Sequence, residues 1–147
     1  MLNQRWLERN PADLAGLSNF AEKHFTTGRF SECEQHISIL LENPAAGPSV
    51  HIALQAIQIA NSLALGKSAL VPGRIDAMVG SIANQPEGFK VSWSFKGTRF
   101  FISNNDTLTP YRPWLMRLFD AIEGADRHAI LSALQEVRGS FPIEVKR

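Results

Sequence analysis

"FKVSWSFKGTRFFIS", Phe89 to Ser103, is the stretch on which the fold class turns. Phe89, Val91, Trp93 and Phe95 alternate with Lys90, Ser92 and Ser94, the period of a half-buried strand. Lys96-Gly97 then offers a two-residue turn, with Gly97 free to take the positive φ such turns require. In that register Phe95 faces Thr98, Trp93 faces Phe100 and Val91 faces Ile102. Turn length and apolar pattern agree, so the stretch predicts a β-hairpin over about 89–103. Two strands alone are marginal in water, so the apolar face is expected to pack on helices or on a second copy of the chain, as a homodimer.

Everything around the hairpin reads as helix. Upstream, Asn10, Pro11 and Asp13 make a helix start, and Leu14, Leu17, Phe20, Ala21, His24 and Phe25 recur at three- and four-residue steps. Gly28 breaks that helix, and Phe30, Cys33, Ile37, Leu40 and Leu41 give the face of a second one, which ends before "NPAAGP". A third helix runs from a Ser49 cap to Gly66, and a fourth over 72–85 carries Ile75, Met78, Val79 and Ile82 inward. Downstream, Thr109-Pro110 opens a helix with Trp114, Leu115, Leu118, Phe119 and Ile122 on one face, broken at Gly124. Asp126 caps a last helix with Ile130, Leu131, Leu134 and Val137, stopped by Gly139; Phe141 and Ile143 lie in the tail beyond.

The first pair carries a resemblance. Leu17-x2-Phe20-Ala21-x2-His24-x3-Gly28-x-Phe30-x2-Cys33-x3-Ile37-x2-Leu40 resembles one tetratricopeptide repeat, covering about 11–44. Cys33 stands where that family places a small residue, His24 replaces its usual tyrosine, and Pro44 lies about one residue early. The repeat does not recur: a step of 34 residues, the family period, puts Gln55 under Ala21 and Lys67 under Cys33. The expected fold is therefore mostly α. Tetratricopeptide-like helical hairpins (11–44 and 49–84) precede the inserted β-hairpin (about 89–103), and a C-terminal helical hairpin (109–139) closes a single domain over 1–147.

Composition narrows the function. With 44% hydrophobic and 20% charged residues the chain has the make-up of a globular domain, and a net charge of +1 gives no global field for nucleic acid or acidic lipid. The polar start "MLNQRWLERNPADL" has no signal-peptide core, and the apolar run "VHIALQAIQIANSLALG" is too broken to span a bilayer. No membrane insertion is expected, and a cytoplasmic location is favoured. The single cysteine, Cys33, excludes a disulfide framework, and its place on an apolar face marks it as packing rather than nucleophile.

No cofactor, metal or catalytic set is expected. His24, His36, His51 and His128 are scattered, and Glu32 with His36 finds no third ligand close in sequence. Asp120, Glu123 and Asp126 read as helix-end carboxylates. Phosphate loops, G-x-S-x-G and H-E-x-x-H are absent from the sequence. The resemblance implies a non-catalytic scaffold that binds a protein or peptide segment. Lys90, Lys96 and Arg99, with Phe101 and Trp114, are the candidate partner-binding residues. The alternatives are a DNA-binding regulator that uses the helix over 72–85, Arg74 and the basic hairpin, or an accessory domain of a larger, possibly membrane-bound, bacterial enzyme.

Overall fold

Twelve consecutive residues, Ile52 to Leu63, are buried on one helix, and the rest of the chain is arranged around it. A computed structural model describes residues 14–42, 47–86, 89–91, 93–124 and 127–138. Along them run α1 (Leu14–Thr26), α2 (Phe30–Glu42), α3 (Pro48–Ala64), α4 (Val71–Ala83), α5 (Lys96–Asn104), α6 (Arg112–Glu123) and α7 (Arg127–Arg138). Short 3-10 turns, Ser68–Leu70 and Asp106–Tyr111, lead into α4 and α6.

Helix α3 touches α1, α2, α4 and the Asp106–Tyr111 turn, so it has no solvent face to spare. The sequence allows this, because no Asp, Glu, Lys or Arg occurs between Glu42 and Lys67. A helix without a charged face can be covered on all sides. Two of its buried polar side chains donate hydrogen bonds: Asn61 Nδ2 to the Phe30 carbonyl of α2 at 2.9 Å, and Ser62 Oγ to the Gln58 carbonyl of its own helix at 2.8 Å, while Gln55 Oε1 and Asn61 Oδ1 have no partner. α4 in turn packs on α7, α7 pairs with α6, and α5 bridges α6 back to α1. The contacts thus run from α1 and α2 through α3 to α4, α7 and α6, and return to α1 through α5.

The first two helices form where the spacing put them, Leu14–Thr26 and Phe30–Glu42. Gly28 sits at φ +81°, its N–H donating to Phe25 O at 3.2 Å while the Arg29 N–H donates to His24 O at 2.8 Å. That is a Schellman ending. Gly66 repeats it at φ +75°, with Lys67 N–H donating to Ser62 O at 2.9 Å. Ala21, Phe25, Cys33, Ile37 and Leu40 are buried as their spacing requires, but Phe20, expected on the same face, is 41% exposed. The third helix starts differently from its reading: Gly47 is the cap and Pro48 takes the first turn, not Ser49. Asn10, Pro11, Asp13, Pro44, Asp126, Gly139, Phe141 and Ile143 lie outside the described residues, as do the side chains of Leu14, Leu17 and Val137.

The inserted β-hairpin is not formed. Among the described residues there is no strand, and the supposed turn and second strand, residues 96–103, lie within helix α5. The reason lies in an overlap of two periods. Phe95, Thr98 and Ile102 stand at i, i+3 and i+7 and are all fully buried, so the same residues that fit a strand face also fit a helix face. A helix satisfies its own backbone, whereas an isolated two-stranded ladder leaves two open edges. Gly97 accordingly has no positive φ. The outward residue changes with the period: Phe100, which the hairpin register put beside Trp93, is 72% exposed.

Candidate interaction surface

Helix α5 is held from both ends. At its start Glu123 Oε2 on α6 accepts from the Phe95 N–H at 3.2 Å, placing a carboxylate at the positive end of the helix dipole. At its end Arg112 donates through Nε to the Ile102 carbonyl at 3.1 Å and through Nη2 to the Asn105 carbonyl at 3.2 Å. The buried side carries Thr98 and Ile102, and Thr98 Oγ1 donates to Glu22 Oε2 on α1. Burial raises the Glu22 pKa above the usual carboxylate value, and the Thr98 hydrogen bond offsets this only in part. The Trp93 indole N–H also favours the ionised carboxylate, but its Nε1 closes no hydrogen bond.

The outward side is what this anchoring presents. Lys96 and Phe100, four residues apart, share one exposed helix face, and Lys90 is exposed on the segment leading in. Lys90 and Lys96 form no salt bridge among the described residues. Arg99 differs: its guanidinium is bonded to Asp120 and Glu123 of α6, so its charge is spent inside the molecule. Burial works against that charge, but the two carboxylates outweigh it and raise the pKa of Arg99. Phe101 turns inward, edge-on to Phe25 at 5.1 Å and to Phe30 at 6.0 Å.

Trp114 is 5% exposed, and its Nε1 donates to the Ala133 carbonyl at 2.6 Å, stitching α6 to α7. Arg74, the cation of the supposed recognition helix, is bound by Glu34 of α2. The structure thus leaves Lys90, Lys96 and the unforeseen Phe100 exposed and commits Arg74, Arg99, Phe101 and Trp114 to internal contacts. A helical reading of residues 95–104 finds Phe100: with 95, 98 and 102 inside, 96, 100 and 103 must face out.

Two concavities accompany this surface. A cleft lined by Ile52, Ile82, Phe89, Val91, Ile122 and Ile130 has only ≈ 20 Å³ of free volume, about one water. The open groove between α6 and α7 is larger, ≈ 530 Å³, floored by Ala121, Gly124, Ala129, Ser132 and Ala133. Its rim is self-paired, since Arg117 Nη2 donates to Glu136 Oε2 at 2.6 Å. Among the described residues no three or more His, Cys, Asp or Glu side chains are grouped to hold a metal, and no helix is long and apolar enough to cross a membrane. The Cys33 thiol is buried and its pKa is pushed up to about 12, chiefly by desolvation and then by Glu34. Compared with known proteins, the chain matches no family model, no curated protein and no solved structure.

Proposed function

We propose that this domain is a non-catalytic interaction module that docks an acidic, apolar-anchored segment of another protein on the exposed face of α5. The supporting observation is Phe100, 72% exposed beside Lys96 on a helix that is fastened at both ends. A rigidly presented aromatic loses little conformational entropy on binding, and an adjacent unspent cation selects partners by charge. Lys90 and Lys96 favour Asp or Glu flanking an apolar side chain that covers Phe100.

Selection from a random peptide display library at low salt tests this. The expected outcome is enrichment of sequences with Asp or Glu around an apolar anchor, with binding to Phe100→Ser and Lys96→Glu reduced at least tenfold. Enriched peptides that bind both variants as well as the parent sink the proposal, as does enrichment of basic sequences. The winged-helix alternative is not carried forward: its wing is not formed, and Arg74 and Arg99 are already occupied by carboxylates.

A further inference from the structure

The face where α1 meets α2, remote in sequence from α5, brings two histidines together. His24 and His36 have ring centroids 4.7 Å apart, with planes inclined at 51°. His24 is only 6% exposed, yet its Nε2 is buried with no hydrogen-bond partner. A bare buried ring nitrogen carries a desolvation cost that native structures usually offset with a donor, an acceptor or a ligand. We propose that His24 and His36 form a binding site for a borderline divalent transition-metal ion of the Zn²⁺ type.

The spacing fits shared ligation. Two imidazoles on one ion at metal–nitrogen bonds of about 2.0–2.1 Å, at angles between right and tetrahedral, have ring centres about 4.5–5.2 Å apart. The separation found lies inside that range. Imidazole nitrogen suits such ions and rejects Mg²⁺ and Ca²⁺, which prefer oxygen. Binding uses the neutral ring of each imidazole. Among the described residues no third ligand completes the set, so water fills the remaining positions. Phe20 packs over both rings, 4.5 Å from His24 and 5.7 Å from His36, and its 41% exposure makes it the side chain that must turn aside to admit the ion.

The test is thermal unfolding of the untagged, chelator-treated full chain with Zn²⁺ alone, and with Mg²⁺ alone as control. Zn²⁺ in large excess should raise the midpoint by about 5 °C, since an ion that binds only the folded state stabilises it by mass action. Mg²⁺ should leave it unchanged. His36→Gln, at a partly exposed position, keeps the fold and should abolish the rise; His24→Gln should do the same. Co²⁺ in place of Zn²⁺ should give a visible band shifted and intensified relative to the aquo ion in the parent, and only the aquo-ion band in His36→Gln. Absence of any rise with Zn²⁺, an equal rise with Mg²⁺, or a rise that persists in His36→Gln overturns the proposal.

Discussion

Arg74 on α4 grips Glu34 on α2 with both terminal guanidinium nitrogens, Nη2 to Oε2 at 2.5 Å and Nη1 to Oε1 at 3.0 Å, across 40 positions of sequence. Their side chains are 20% and 22% exposed, and Arg74 also reaches Ser62 on the central helix. One side chain therefore fastens three helices. A bidentate pair held this far from water is stronger than a surface pair, and losing one partner strands the other. Arg74→Ala and Glu34→Gln should each destabilise the domain by about 1–3 kcal/mol in denaturant unfolding. The double variant should fall short of the sum by more than about 0.5 kcal/mol. Additive losses would show that the pair contributes nothing as a pair.

Cys33 should be silent to thiol reagents in the folded protein. Its thiol is fully buried and held up to about 12. The native chain at pH 8 should show no fast-reacting thiol, and the denatured chain should show the full complement of one. The folded state also keeps this proton longer than the unfolded state does. The Cys33 contribution is thus full below pH 9.0 and is lost as pH climbs toward about 12. Cys33→Ala should flatten that alkaline decline.

Glu22 runs against the usual carboxylate pattern. Its folded pKa is raised, so its contribution is full below pH 4.5 and is lost as pH rises through the folded value. Glu22→Gln keeps an acceptor for the Thr98 hydroxyl and removes the buried charge, so its melting temperature at pH 7 should equal or exceed that of the parent. The difference should narrow as pH falls toward 4.5 and the parent's carboxyl takes up its proton. A clear loss of stability in Glu22→Gln at pH 7 would mean the ionised form is needed.

His51 has the opposite sign. Burial lowers its pKa, so its contribution is full above pH 6.5 and is lost as pH falls toward the folded value. His51→Gln should be less sensitive to acid than the parent when melting temperatures are compared between pH 7 and pH 5.

Glycine substitutions discriminate helix from hairpin at α5. Gly66 holds φ +75°, so Gly66→Ala should cost about 1 kcal/mol although nothing lies within 4 Å of the added carbon. Gly97 has equal space and no positive φ, so Gly97→Ala should stabilise by about 0.5 kcal/mol through helix propensity. In a two-residue hairpin turn the same change would destabilise. Equilibrium unfolding of the two variants side by side decides it.

Some of this molecule is written in local sequence. Gly28 and Gly66 end helices because only glycine takes those angles freely, and that requirement travels with the residue. The buried faces of α2, α4 and α6 follow from a 3.6-residue period that each helix carries alone. Other features needed the fold. Residues 95–102 satisfy two periods at once, and the choice falls to helix because Glu123 and Arg112, from a later segment, close its two ends. Lys96 and Arg99 look alike in sequence, but only Arg99 meets Asp120 and Glu123. His24 and His36 lie on separate helices, and nothing in their spacing announces contact until α1 folds back against α2. Backbone angles and periodicity are properties of a segment, so the sequence determined the two glycine helix ends and the inward faces of α2, α4 and α6. Which charges are neutralised, which aromatic is left exposed and which rings meet are properties of pairs distant along the chain, and only tertiary packing decided those.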